Sequence, residues 1–318
     1  MRFPFKPRVY FTLLFFLFTA LWCGCTNVRN LYAVMPLYIS PSVFALYLPY
    51  LPRSVKVQRD IQYAQVDGKP IKLDIYSPLK TVGKLPVVIW IHGGGWDSLN
   101  KSPCPIGCMA TQNLAVVSIN YRLSGDAIFP AQIYDCKGAV RWLRANADKY
   151  NLDADHIGVF GASSGGHLAL LLATTAGNPM MEGDVGGNLT FSSRVQCVCA
   201  FYPPTDLNRL VADSKYLAGR NGATAKLIGG AVKENRAKAS AASPLAYVDK
   251  SCAPVFLMHG SDDRIVSVEQ SQIFYEALRK AGGDVQLEVI RGKGHAILAP
   301  PLVEDEIRQF FQRHLRQP

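Results

Sequence analysis

A serine lies in a run of small residues near the middle of the chain, at Gly161–Gly165 (GASSG). The residues before it, Ile157–Gly161, are predicted to form a buried strand, and those after it, His167–Ala173, a helix. A tight turn between two such elements needs small neighbours and exposes the serine hydroxyl. It also leaves the backbone N–H of Ser164 free to stabilise an oxyanion. The pattern therefore predicts Ser163 as the nucleophile of covalent catalysis.

A histidine and two adjacent aspartates follow apolar strands late in the chain. Val255–Gly260 is predicted as a strand and precedes Asp262 and Asp263, while Val285–Ile290 is predicted as the last strand and leads through a glycine-rich loop to His295. Open α/β sheets place their sites at the carboxyl ends of strands, so these side chains can meet the serine there. We expect the histidine to take the serine proton and return it to the leaving group. The carboxylate would orient the ring and stabilise the imidazolium.

Three consecutive glycines follow another predicted strand, in His92–Trp96 (HGGGW). The preceding run, Leu85–Ile91, is continuously apolar, as expected of a strand buried on both faces. Glycines let backbone N–H groups approach a substrate oxygen closely. With the N–H of Ser164 they would form a complete oxyanion hole.

Together these motifs resemble the α/β-hydrolase esterases, and specifically the hormone-sensitive-lipase-like and feruloyl-esterase-like (BD-FAE-type) carboxylesterases. The resemblance covers roughly residues 60–317, and the order serine, aspartate, histidine is the one found in that fold. It extends to the segments Phe129–Cys136 and Tyr202–Leu207.

The resemblance also assigns individual residues. It implies that the catalytic acid is Asp263 rather than Asp262, and that Gly94 and Gly95 are the oxyanion glycines. Asp206 is an alternative acid, although its position favours a turn or a helix cap. Because the triad and the oxyanion loop are complete, we expect a reaction that needs no metal and no organic cofactor.

The order of predicted elements indicates an α/β fold with a mostly parallel central sheet and helices on both faces. Ile71–Tyr76 alternates as an edge strand, and helices are predicted over residues 132–150, 168–176, 269–281 and 302–315. Residues 203–250 have no clear strand and are predicted to form a small cap over the site.

The chain has 318 residues, and we expect three parts: a signal peptide or membrane anchor at 1–25, an apolar Tyr- and Pro-rich arm at 26–59, and the catalytic domain at 60–318. The net charge of +10 comes from 34 basic and 24 acidic residues. Residues 1–60 contain seven of the basic residues and only one of the acidic residues. The remainder carries only +4. The basic excess therefore indicates a membrane surface rather than nucleic acid.

The first residues resemble an export signal. Val9–Trp22 has no charge, follows three basic residues, and is short for a membrane span. Cys25 lies where a bacterial lipoprotein would be lipidated, with an uncleaved anchor as the alternative. The arm from Leu31 to Pro52 suits either a membrane interface or packing on the domain. We expect a membrane-associated protein outside the cytoplasm; the oligomeric state is open.

The eight cysteines are too weakly patterned to indicate a metal site. Cys104 and Cys108 are the best candidates for a disulfide, on the loop that follows the glycines.

The function predicted from these residues is a serine carboxylesterase for short-chain acyl or aromatic-acyl esters. A minimal cap and an oxyanion loop bordered by Trp96 favour small substrates over long triglycerides. A formamidase-like amidase remains open because it shares the glycine motif. A peptidase of the prolyl-oligopeptidase type would need a large propeller domain, for which about 60 preceding residues are too few. A non-catalytic binding protein on this fold would be expected to have lost a member of the triad.

Overall fold

A computed structural model describes residues 51–213, 222–295 and 301–315. In this part of the chain there are eight strands: β1 Val55–Val66, β2 Lys69–Pro78, β3 Leu85–Ile91, β4 Ala115–Ile119, β5 Leu152–Ala162, β6 Cys197–Phe201, β7 Val255–Gly260 and β8 Val285–Ile290. They form one sheet with the order β1-β2-β4-β3-β5-β6-β7-β8. The α-helices are α1 Ala131–Ala145, α2 Ala147–Tyr150, α3 Ser164–Thr174, α4 Pro179–Glu182, α5 Leu207–Asp213, α6 Ala223–Ile228, α7 Arg236–Ala241, α8 Glu269–Lys280 and α9 Pro301–Leu315. Short 3₁₀ helices cover Gly107–Gln112, Val232–Glu234 and Pro244–Tyr247.

The strands from β3 to β8 are parallel to one another, and β1 and β2 run antiparallel at one side. Alternate residues of β3 face two different cores, because side chains alternate across a sheet. Ile89 packs in the core that includes Leu168 of α3 and Phe274 of α8. Val88 packs in the core that includes Phe310 of α9. Helices therefore cover both faces, which confirms the predicted fold class.

The prediction of Ile71–Tyr76 as an edge strand is wrong. The segment lies in β2, which pairs with β4 on one side and β1 on the other, so β1 is the edge. The sequence analysis did not predict β1, because the charged Arg59 and Asp60 interrupt its alternation of apolar residues; the strand also has two breaks in register. The sheet also starts at Val55, inside the segment that the sequence analysis placed in the arm.

The described parts of 203–250 contain only short helices. They contact the loops that follow β3 and β4: Lys226 forms an ion pair with Asp97 at 2.7 Å, and the Phe129 N–H donates to the carbonyl of Leu227 at 2.7 Å. That this region acts as a cap remains a prediction.

Several sequence predictions concern residues outside the described part of the chain. These include the signal or anchor, lipidation at Cys25 and nearly all of the arm up to Pro52. Among the described residues, no helix is long and apolar enough to cross a membrane. The six described cysteines are thiols, so the disulfide expected between Cys104 and Cys108 is not formed. Burial raises the pKa of the Cys104 thiol to about 12.

Candidate active site

Ser163 connects β5 to α3 in a strained backbone conformation, with φ of 54° and ψ of −122°. The glycines beside it have no room for a side chain. A Cβ on Gly165 would lie 2.1 Å from the carbonyl oxygen of Ile91, and a Cβ on Gly161 would lie 2.2 Å from that of Gly165. The Ser163 N–H donates to the carbonyl of Phe201 at 2.9 Å, which ties the turn to the neighbouring strand. The small residues of the motif are thus required by close backbone packing.

His295 contacts both Ser163 and Asp263. Its Nε2 lies 3.1 Å from the Ser163 Oγ, and its Nδ1 lies 2.6 Å from the Asp263 Oδ2. Because the carboxylate accepts at Nδ1, the neutral ring carries its proton there and leaves Nε2 to accept from the serine. Residues predicted from three separate segments therefore meet in one hydrogen-bonded chain.

The Asp263 carboxylate is buried and accepts several hydrogen bonds. Its Oδ1 accepts from the backbone N–H groups of Ile265 at 2.8 Å and Val266 at 3.0 Å. Burial opposes ionisation, but hydrogen bonds from His259 and His295 outweigh it and hold the pKa of Asp263 well below its usual range. The carboxylate is therefore charged near neutral pH.

Asp262 lies outside this arrangement. It is exposed, and its Oδ1 accepts from the hydroxyl of Ser261 at 2.6 Å. Asp206 is also occupied elsewhere, since its Oδ1 accepts from the N–H of Asn208 at 2.9 Å at the start of α5. The structure thus brings Asp263, and neither alternative acid, to His295.

The glycine loop after β3 packs directly against the serine turn. A Cβ on Gly93 would lie 2.9 Å from the carbonyl of Ala162 and 3.4 Å from the Cβ of Ser163. Gly94 and Gly95 have φ angles of 102° and 62°, which favour glycine. Within the described residues, no acceptor is bonded to the N–H of either glycine or of Ser164. Their free N–H groups agree with the expected oxyanion hole, which stays a prediction.

Trp96 does not border the cleft, contrary to expectation. Its side chain is buried, and the indole N–H donates to the Nδ1 of His167 at 3.1 Å. The His167 Nε2–H in turn donates to the carbonyl of Ala242 at 2.6 Å. Burial lowers the pKa of His167 to about 4, so the ring is neutral near pH 7. Trp96 points into the domain because its indole N–H binds His167 on α3. No sequence pattern predicts that these two residues pair.

His92 braces the loop, as its position in the motif suggests. Its Nδ1–H donates to the carbonyl of Gly93 at 2.8 Å, and its ring stacks on Tyr121 at 4.4 Å between centroids. The Tyr121 hydroxyl donates to the His92 carbonyl at 3.0 Å. Burial lowers the pKa of His92 to about 4, which keeps this contact uncharged near neutrality.

Sequence reasoning did not identify Tyr202 as part of the site. It follows β6 directly, has a φ of 37°, and its ring centroid lies 4.6 Å from that of His295. Burial raises the pKa of its phenol well above the usual range, so it is neutral. Its position could have indicated a role, because Tyr202 directly follows β6, which pairs with β5, the strand that precedes Ser163. Open α/β sheets place functional residues at the carboxyl ends of such strands.

The sheet order, the strained serine turn and the Ser163–His295–Asp263 geometry define an α/β-hydrolase. The BD-FAE family model matches residues 73–278. The chain therefore belongs to the BD-FAE family, as its motifs suggested.

Named relatives and solved structures agree with this family. Esterase LipQ of Mycobacterium tuberculosis is 32% identical over 74% of this chain and 57% of its own length. A bifunctional GH43-CE protein of Bacteroides eggerthii is 36% identical, with a TM-score of 0.75, over 82% of this chain and 38% of that one. A truncated carbohydrate esterase from gut microbiota is 29% identical, with a TM-score of 0.74, over 82% of this chain and 97% of that one. The chain spans about half the length of the first curated relatives it matches.

Proposed function

We propose that this protein is a serine carboxylesterase. The observation that carries the proposal is the hydrogen-bonded chain from the Ser163 hydroxyl through His295 to the ionised Asp263. Relatives named as esterases support the reaction class.

In the proposed reaction the Ser163 Oγ attacks the ester carbonyl while His295 Nε2 takes its proton. The tetrahedral oxyanion accepts from the N–H groups of Gly94, Gly95 and Ser164, whose donors have no other partner among the described residues. His295 then gives its proton to the leaving alkoxide, and the alcohol departs from the acyl-enzyme. Water attacks the acyl-enzyme by the same sequence, releasing the carboxylic acid and restoring the serine.

We further propose short acyl or aromatic acyl groups on small alcohols or sugars as substrates. The proposal is supported by the short helices of the described parts of 203–250, which offer no extended lid, and by neighbours whose names include a carbohydrate esterase. Because Trp96 points inward, it no longer supports the expectation of small acyl groups. The proposal therefore rests on the short helices and on the carbohydrate esterase neighbour.

A panel of p-nitrophenyl esters from two to sixteen carbons tests both proposals. We expect kcat/KM to be highest at about two to six carbons and to fall at longer chains, because the described parts of 203–250 offer only short helices to cover extra methylenes. Feruloyl esters, acetylated sugars and a formanilide belong in the same panel. A maximum at twelve carbons or longer contradicts the substrate proposal. Turnover of the formanilide without turnover of any ester contradicts the esterase proposal.

We also propose that the protein is exported and held at a membrane by its first residues. The proposal is supported by the basic residues before Val9–Trp22 and by Cys25, all of which lie outside the described part of the chain. A chain starting at Leu51 keeps the whole of β1, whereas one starting at residue 60 would remove its first residues. We expect the shorter chain to be soluble with unchanged kcat/KM, and the full chain to be recovered in the membrane fraction. Full-length protein in the soluble cytoplasmic fraction, with residues 1–25 attached, contradicts the targeting proposal alone.

A further inference from the structure

A second histidine contacts the carboxylate of Asp263. His259 lies at the end of β7 with a fully buried side chain. Its Nε2 is 2.8 Å from the carbonyl oxygen of Val266 and 3.3 Å from the Oδ2 of Asp263. Its Nδ1 is 2.7 Å from the hydroxyl oxygen of Ser271 on α8. The reaction proposed above does not use this residue.

The partners of His259 fit one neutral tautomer. Two acceptors face Nε2, so Nε2 carries the proton and donates it to the Val266 carbonyl, with the Asp263 Oδ2 3.3 Å away. The Ser271 hydroxyl can both donate and accept, so it donates to the unprotonated Nδ1. One neutral tautomer therefore satisfies every contact of this buried ring.

The Asp263 carboxylate thus accepts three N–H hydrogen bonds and has a fourth N–H group close by. Oδ1 receives the backbone N–H groups of Ile265 and Val266, and Oδ2 receives that of His295. The Nε2 of His259 lies 3.3 Å from the same Oδ2. Val266 is used twice, since its N–H binds Oδ1 and its carbonyl accepts from His259. The carboxylate plane and the turn that holds it are fixed together.

We propose that His259 is a positioning residue that sets the pH range of the esterase by sharing the Asp263 oxygen that faces His295. The proposal rests on the esterase function proposed above. A donor on Oδ2 withdraws part of the negative charge that would otherwise stabilise the protonated form of His295. The nucleophile needs the neutral ring, so this sharing extends activity to lower pH.

The other groups around His295 do not supply the same effect. Tyr202, directly after β6, lies against His295 with its ring tilted by 59° and is neutral. Its ring centroid lies 6.4 Å from that of His259. Ser163 approaches from the serine turn and Ser271 packs on His259 from α8; both are uncharged. Among the described contacts, His259 and His295 are the side-chain donors to Asp263.

Two substitutions at His259 separate positioning from packing. In His259→Asn the side-chain amide occupies the position of the histidine Nδ1 but not that of Nε2. The contact with Ser271 can therefore persist, while the N–H group beside Asp263 is lost. In His259→Gln the amide N–H reaches the level of Nε2 and restores that donor. The measurement is kcat/KM for p-nitrophenyl acetate from pH 5 to 9, with the thermal midpoint of unfolding recorded for each variant.

We expect the acid midpoint of kcat/KM to rise by about 0.5 pH unit in His259→Asn and to stay within about 0.2 unit of wild type in His259→Gln. Ser271→Ala serves as a packing control, because it weakens the hold on His259 but leaves Nε2–H facing the same acceptors. It should lower the thermal midpoint without moving the acid midpoint. If His259→Asn does not fold, His259→Ala, which also lacks the N–H group beside Asp263, takes its place and should show the same rise.

Three results would overturn the proposal. The first is a fall of kcat/KM in His259→Asn by the same factor at every pH, and the second is a lower acid midpoint in that variant. The third is an acid midpoint that rises as much in His259→Gln or Ser271→Ala as in His259→Asn. Each leaves the esterase function intact. An inactive wild-type protein instead removes the proposed function, before any variant is compared.

Discussion

Replacing Ser163 with alanine is expected to lower kcat for ester hydrolysis by at least about 10⁴-fold. The substitution removes the only atom of Ser163 within hydrogen-bonding distance of the His295 Nε2, at 3.1 Å. No acyl-enzyme can then form, and only the oxyanion donors and substrate binding remain. The fold should persist, because the turn is held by backbone contacts of Gly161 and Gly165.

The adjacent serine offers a matched control. Ser164 is expected to act through its backbone N–H, so Ser164→Ala should cost less than about tenfold in kcat. Labelling by a fluorophosphonate gives a second readout, since it should modify wild type and Ser164→Ala but not Ser163→Ala. Wild-type turnover by Ser163→Ala, or labelling of that variant at comparable speed, would show that another residue is the nucleophile.

Replacing Asp263 with asparagine is expected to lower kcat by about 10⁴-fold. The orientation of the new amide, and hence the loss of activity, follows from the N–H groups around the Asp263 carboxylate. Because the N–H groups of Ile265 and Val266 both point at Oδ1, the amide oxygen must occupy that position. The amide NH₂ then faces His295 and donates to its Nδ1. The ring must carry its proton on Nε2, where it can no longer accept from Ser163.

The neighbouring aspartate again gives the control. Asp262 is exposed and bonded to Ser261, so Asp262→Asn should change kcat only a few-fold through weak long-range electrostatics. Both variants should unfold cooperatively when followed by circular dichroism. A larger loss in Asp262→Asn than in Asp263→Asn would contradict the assigned acid.

The sequence predicted most of the parallel sheet, because its strands are buried on both faces and are therefore continuously apolar. Leu85–Ile91 and Val255–Gly260 were found for this reason. β1 was missed because an edge strand with Arg59 and Asp60 has no such signal. Its pairing with β2 is made by backbone hydrogen bonds, and these are insensitive to side-chain type.

The three reacting side chains were also predictable, since motif, chain order and family agree on them. The hydrogen bonds and packing contacts of the residues around them were not predictable. His259 ends a buried strand, where a histidine commonly satisfies a backbone group, yet its Nε2 also lies 3.3 Å from the Asp263 Oδ2. Trp96 was expected at the cleft, yet it bonds to His167 inside the domain. Such contacts join residues far apart in the chain, and a few tenths of an ångström in packing decide them.

The direction of β1 determines where the preceding chain attaches to the domain. Val55 pairs with Pro78, and Tyr76 in the same strand as Pro78 pairs with Val116 near the beginning of β4. The polypeptide therefore enters the domain at the amino-terminal ends of the parallel strands. Ser163 and Asp263 follow the opposite, carboxyl-terminal ends. The point where the chain enters the domain and the side chains that react therefore lie at opposite poles of the parallel sheet. A group joined to the chain at this entry point is separated from Ser163 by the length of the strands.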